Sequence, residues 1–408
     1  MSTQTDIRPG SAAARPGPRG PQPVRLPTVT AAVTAAVAAA PPERSSLGAV
    51  VTEAAAVRGD PGRALALAAK LGRSVPRIGD GDTATLFETL ASLGAIDLTA
   101  ARVAEAHFDA LAILNQATID PSGLFSMTDS ATGVWGVFAA EAGGMRLTAA
   151  PWSGAAPEAV GLDAGPRPAA RWRLDGTKPW CSLAGSITHA LVTAHTSDTE
   201  RRLFAVDLRQ PGVGVRTGGW VALGLPRVPS GPVDFAAVEA RPIGADGWYL
   251  SRPGFAWGGI GVAACWFGGA VGLARQLYAA EHRPPNHAPD QVALAHLGAI
   301  DVLLSACATT LAQAAAAIDS GAATGVDGAR LAARVRGLVA RTVDEVICRV
   351  GHALGPTPLA FDARHAQRVA DLQLYVRQHH AERDDAALGR LLLATRGHSA
   401  EGDAGTPW

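Results

Sequence analysis

The sequence predicts an α+β multidomain fold with an N-terminal α-helical domain, a central antiparallel β-barrel or sandwich, and a C-terminal four-helix-bundle-like domain. Three patterns carry this. Apolar residues recur at helical spacing from Leu47 to about Ala117, short strand-like runs broken by Gly, Pro and Asp fill about 120–244, and a seven-residue apolar repeat follows Phe255. At 408 residues the chain also exceeds the roughly 250–300 at which a single core stops growing, so more than one domain is required.

Residues 1–45 are rich in Pro, Gly, Ala and Arg and poor in large apolar side chains, so this tail is expected to stay unstructured with its arginines solvated. The helical domain spans 46–119. In it Asp82 caps a helix bearing Leu86, Leu90 and Leu93, Gly94 stops that helix, and Asp97 opens the next with Val103, Leu111 and Leu114. The string Glu105–Asp109 reads as a solvated face, because two like charges at i, i+4 on a helix repel.

The β domain spans 120–245, with strands expected at 133–140, 171–176, 189–195, 202–208 and 232–238, a spacing that suits a barrel or sandwich better than βαβ units. The bundle spans 246–395. Leu297, Leu304, Leu311 and Ile318 form one apolar stripe, with Ile300, Cys307 and Ala314 between them. A second helix starts near Asp327, carries Leu331, Val335 and Leu338 inside and stops at 351–356; a third runs from about Asp362 to Leu393, before a flexible tail at 396–408.

Thirty-six basic and thirty-six acidic residues cancel, leaving no field to recruit nucleic acid or an anionic membrane, so a small molecule or another protein is the expected partner. The chain shows neither a secretory leader nor an uncharged run of 18 apolar residues, and a cytoplasmic protein without a membrane span is expected. Cys181, Cys265, Cys307 and Cys348 lie far apart without metal-ligand spacing, as reduced, mostly buried thiols would, and no metal is expected.

Several strings resemble the acyl-CoA dehydrogenase-like flavoprotein superfamily: LDGTKPWCS (174–182), the Gly/Ala-rich helix 254–283 and VICRVGHALGP (346–356), over about 47–395. In LDGTKPWCS, Gly176 permits a turn, and Trp180 and Ser182 emerge on one face of a strand. The resemblance implies that Trp180 shields a flavin ring and that Ser182 donates a hydrogen bond near its N5 atom. It places Ala140 where the family has a flavin-bonding Thr, Arg283 against the cofactor pyrophosphate of an adjoining subunit, and Gly351 and Gly355 where backbone meets the adenosine half of FAD. FAD and a homodimer or homotetramer follow from it. Pro284 and Pro285 after Arg283 depart from the family pattern, and 346–356 lacks the family's Gln and paired Gly, so a plain helix stop explains that segment equally well.

The family's catalytic Glu is missing. Matching 368–384 on Arg368, Asp371 and Tyr375 puts His379 in its place, and the family's second location for a base falls near Val262, beside Ala263. His379, His380 and Glu382 remain as acid-base candidates, with His379 and Glu382 three apart on one helix face. The resemblance implies an FAD-dependent oxidoreductase acting on a CH–CH group of an acyl thioester such as acyl-CoA, or of a similar small molecule, with His379 or Glu382 as base. Two alternatives stand beside it: a flavin-dependent monooxygenase, favoured by the paired histidines, and a non-catalytic scaffold that has lost its active groups.

Overall fold

The computed structural model describes residues 20–29, 46–125, 133–152, 171–281 and 290–394. The described residues of its N-terminal third form four helices, α1 (Ser46–Val57), α2 (Pro61–Leu71), α3 (Thr83–Ile96) and α4 (Leu98–Gln116). Asp60, Asp82 and Asp97 each cap the following helix by accepting a backbone N–H three residues on. Residues 20–29 are not free as expected. Val24 is buried, its N–H donates to Ser92, and Arg25 pairs with Glu88, which fixes the segment along α3.

Gly94 does not stop α3, which runs on to Ile96. Its missing side chain serves a close approach instead. A Cβ there would lie 2.4 Å from the Cys265 carbonyl oxygen, and one on Gly268 would lie 2.0 Å from that of Ala91. Both contacts join α3 to α6 (Gly254–Glu281), following α5 (Trp248–Ser251), and α6 is buried along most of its length.

Among the described residues seven strands lie between the two helical parts: β1 (Trp135–Phe138), β2 (Leu147–Pro151), β3 (Trp172–Ser182), β4 (His189–His195), β5 (Arg201–Asp207), β6 (Val213–Val215) and β7 (Ser230–Ile243). The circuit β4–β2–β3–β7–β5 closes through β4–β5 pairing into a five-stranded barrel, with β1 on β4 and β6 on β7. Five of the pairings are antiparallel, but β1–β4 and β2–β4 are parallel, so the barrel is not purely antiparallel as expected. The short β2 and β6 carry too few apolar residues to have stood out in the sequence.

The bundle continues with α7 (Gln291–Asp319), α8 (Gly325–Leu354), α9 (Thr357–Phe361), α10 (Ala363–Tyr375) and α11 (Glu382–Ala394). The single helix expected over 362–393 is two, because a 3₁₀ turn at Val376–Gln378 and extended His379 break it. By length and hydropathy α6 and α7 could each cross a bilayer. However, α6 is spent on α3, α4, α7 and α8, while α7 packs on α8 and leaves Val292, Leu294 and Val302 exposed.

Barrel and helices are joined through α4. His107 accepts the Trp135 N–H at 3.2 Å, and the Trp135 ring stacks on His189 at 4.8 Å between centroids. Burial, helped by Arg73, pushes the His107 pKa down to about 4. Since the unfolded value is about 6.5, this contribution is complete above pH 6.5 and is lost as pH falls through 4, about 3 kcal/mol in all. Urea melts at pH 7 and pH 4.5 should show that loss in the wild type and a smaller one in His107→Gln; equal losses would remove His107 from the account.

The α3–α6 contact has its own test. Gly94→Ala and Gly268→Ala force backbone apart and should each cost about 1–3 kcal/mol. By contrast, Gly298→Ala on α7, where a Cβ meets nothing within 4 Å, should gain up to ~1 kcal/mol from helix propensity. Thermal melts of the three variants that failed to rank in this order would refute the close-approach reading.

Candidate active site

The string 174–182 lies within one strand, β3, and bends it twice against β7. Gly176 makes no turn. It sits at the first irregularity with φ 118°, where a Cβ would be 2.2 Å from the Arg146 carbonyl oxygen on the β2 side. At the second irregularity, Pro179 and Trp180 oppose the single residue Pro232, a β-bulge.

Lys178 anchors that bulge. Its side chain is only 1% exposed, and its ammonium donates to Glu141 at 2.6 Å and to Thr193 at 2.8 Å. Burial lowers the Lys178 pKa against the pull of Glu141. On the Glu141 carboxyl burial acts upward as the largest single effect, and the bond and charge of Lys178 together with Arg201 and His195 outweigh it to give a net lowering. Glu141 also faces Arg201 and His195, so the residue after Ala140 closes the barrel end electrostatically. Ala140 itself is exposed.

With Lys178 drawn inward, Trp180 is turned outward. It is 56% exposed and has φ 58°, a left-handed conformation that costs a bulky residue about 1–3 kcal/mol. Cys181 is buried, and Ser182 returns toward the surface of the helical part. Trp180 and Ser182 thus flank an inward residue, as the sequence suggested.

Ser182 enters a polar network. Its Oγ receives a hydrogen bond from Arg102 at 3.0 Å and lies 2.8 Å from Ser230 Oγ. Arg102, on α4, donates also to Glu105 at 2.7 Å and lies over the Tyr375 ring at 5.9 Å. Tyr375 O–H completes the circuit on Glu105 at 3.3 Å. One turn along α4, Asp109 faces Arg252 at 3.7 Å.

The string Glu105–Asp109 is therefore buried, contrary to the solvated face expected of it. Burial pushes both carboxyls up, and Arg102 and Arg252 oppose it. The repulsion between them is met by one arginine at each carboxylate, Arg102 at Glu105 and Arg252 at Asp109. Arg102 lies three residues before Glu105, a signal present in the sequence; Arg252 comes from another part of the chain and gave none.

The three residues used to place the missing base prove to be fasteners of α10. Arg368 donates to the carbonyls of Gly94, Ala95 and Ile96 at the end of α3, Asp371 accepts the Leu225 N–H, and Tyr375 reaches Glu105. They deliver His379, which is buried and extended, to the end of α10. His379 and Glu382 do not share a helix face, since the chain turns at Ala381 (φ 48°) before α11 begins at exposed Glu382.

Burial lowers the His379 pKa, Asp384 (3.8 Å) raises it, and Arg336 lowers it. Exposed His380 pairs with Asp384 at 3.3 Å. Arg336 connects this corner to the network: it donates to the Gln378 and Gly259 carbonyls and covers the Trp266 ring, whose neighbour edge-on is Tyr375.

Gly355, with φ 66°, ends α8 and bonds back to the Gly351 carbonyl, as a helix stop does. A Cβ on Gly351 meets nothing within 4 Å. Arg283 lies outside the described residues. Among the described residues no group of three or more His, Cys, Asp or Glu is placed to hold a metal ion, and all four cysteines are free.

No family model and no curated protein matches the sequence. Solved structures do. A complex of the dibenzothiophene monooxygenase TdsC from Paenibacillus sp. A11-2 with FMN and indole aligns at TM-score 0.67 and 17% identity, covering 86% of this chain and 97% of that one. The chain has the acyl-CoA dehydrogenase-like fold. KijD3 in complex with FMN and a dTDP-linked amino-keto sugar shares it at TM-score 0.61 and 18% identity, over 88% of this chain and 93% of that one. So does the nitrososynthase from Micromonospora carbonacea var. africana, at 0.58 and 19%, over 80% and 88%. At such identities the acyl-CoA dehydrogenase-like fold is what is shared, and the chemistry must be argued from Trp180, Ser182 and their surroundings.

Among the described residues Trp180 is the large apolar side chain that combines a left-handed backbone with exposure. Trp180→Gly relieves the left-handed backbone and removes little buried surface, so stability should change by less than about 1 kcal/mol in either direction. Flavin affinity, measured by fluorescence titration, should fall at least tenfold; an unchanged affinity would mean that the indole touches no flavin.

Proposed function

We propose that the chain is a flavin-dependent oxidoreductase, and within that class a monooxygenase acting on a polar or aromatic small molecule. The observation that carries this reading is the charged Arg102–Glu105–Tyr375 network against Ser182. Glu105 is committed to Arg102 and Tyr375.

The residues fit a flavin. Trp180 offers a broad aromatic face from a bulge that strains to present it, and Ser182 offers a hydroxyl two residues on. Arg102 can only donate, so the Ser182 oxygen accepts from it and its own proton is left to donate, to Ser230 or outward to a ring nitrogen. Bound flavin supplies two-electron redox chemistry and, when reduced, reactivity with dioxygen. FMN accompanies TdsC and KijD3, which favours FMN over the FAD suggested by sequence; identifying the flavin released on denaturation decides between them.

His379 is the proposed base. It is buried and, with a lowered pKa, neutral at physiological pH, so it can accept a proton. Activity depending on it should hold above the usual histidine value near 6.5 and fall only at more acidic pH. His379→Gln should cut kcat by 10²-fold or more and abolish the acid limb of the pH profile; an unshifted profile would release His379 from the role.

Oxidation of an acyl thioester stays as the second reading, because the string 174–182 is where the resemblance to that family is strongest. The two separate cleanly: anaerobic bleaching of bound flavin by acyl-CoA supports dehydrogenation, whereas oxygenated product after reduction by an external donor supports monooxygenation. Absence of flavin from protein offered both FMN and FAD would sink both.

The exposed Val292, Leu294 and Val302 on α7 support self-association as a homodimer or homotetramer. Val302→Glu should shift the mass measured by light scattering toward the monomer, and an unaltered mass would move the interface elsewhere.

A further inference from the structure

A cavity of about 750 Å³ opens between the α1–α2 turn, the α3–α4 junction, the loop before β7 and the start of α10. It shares no lining residue with the Trp180–Ser182 network. Its size is that of a site for a nucleotide-sized ligand. Its composition is divided: Ala54, Ala55, Ile96, Leu98 and Pro226 make an apolar wall, while Arg58, Arg227, Arg364 and Arg368 bring four guanidinium groups.

These arginines are poorly matched within the chain. The side chains of Arg58, Arg227 and Arg364 are on exposed residues and make no hydrogen bond or ion pair among the described residues. Arg368 spends its terminal nitrogens on α3 carbonyls, and its buried Nε has no partner. The two carboxylates in the cavity are already engaged. Asp97 accepts the N–H groups of Gly59 and Ala100, and Asp371 accepts from Leu225 and Gln367. Burial moreover pushes the Asp371 pKa up, which reduces its opposition to an anion.

Two helix N-termini add to the positive potential, since Leu98 and Thr99 begin the 19-residue α4 and Ala363 and Arg364 begin the 13-residue α10. The α1–α2 turn is held in place for the purpose: Arg58 and Gly59 are left-handed, at φ 52° and 69°, and Gly59 is tied to Asp97 at 2.7 Å.

We propose that this cavity binds an organic diphosphate of nucleotide size, its phosphates held by Arg58, Arg227 and Arg364 and its organic part lying on the apolar wall. Planar guanidinium forks match phosphate oxygens in pairs, which several lysines would not. An apolar wall beside them gives no advantage to an inorganic anion.

The test is calorimetric titration of the full chain, saturated with flavin so that the Trp180 site cannot take the probe. ADP should bind in the micromolar range, adenosine should not bind, and pyrophosphate should bind at least fivefold more weakly than ADP. Arg227→Ala with Arg364→Ala should weaken ADP at least tenfold while flavin content and melting temperature stay unchanged. Arg383→Ala with Arg390→Ala on α11 removes the same charge elsewhere and should leave ADP binding intact. No binding of ADP at low ionic strength, equal loss in the two double variants, or pyrophosphate binding as tightly as ADP would each overturn the proposal.

Discussion

The guanidinium of Arg102 ties three parts of the chain together at one point. It stands on α4, donates to Ser182 at the end of β3, pairs with Glu105 on its own helix and lies over Tyr375 at the end of α10. A buried arginine is costly to desolvate, and the cost is tolerated only when each donor finds an acceptor in good geometry. Its partners must therefore sit at fixed positions. Barrel, helical layer and bundle are held to one another by a polar constraint laid over the non-directional packing of α3 on α6.

This constraint explains where the sequence was legible. Caps at Asp82 and Asp97 are local, and they were found because capping needs only a carboxylate and the next three residues. The strand His189–His195 was recovered to the residue, being continuously apolar between turn residues. Trp180 and Ser182 carry the resemblance, whereas the bulge beside them needs Pro232 of β7, 53 positions beyond Pro179 (232 − 179).

What could not be read depends on partners distant in sequence. Gly94 looked like a helix stop because a stop is the commonest use of a glycine near a helix end; its real neighbour, Cys265, lies 171 positions later (265 − 94). Glu105 and Asp109 looked solvent-exposed because nothing nearby announces Arg252. Arg368, Asp371 and Tyr375 served as alignment marks, and only the folded chain shows each to be a bond from α10 to a different element.

The same network bears on how one fold changes its chemistry. An enzyme that removes a proton from an acyl chain needs a carboxylate unpaired enough to accept it and an apolar slot beside it. Here the two carboxylates of α4 face guanidinium groups, Glu105 that of Arg102 and Asp109 that of Arg252. His379, the proposed base, enters by the break between α10 and α11 and not along a helix face. That break is what bends the chain at Ala381 and lets Arg336 bind the Gln378 carbonyl while covering Trp266. The interruption between α10 and α11 thus supplies both the buried His379 and the arginine contact that ties it to the network around Ser182.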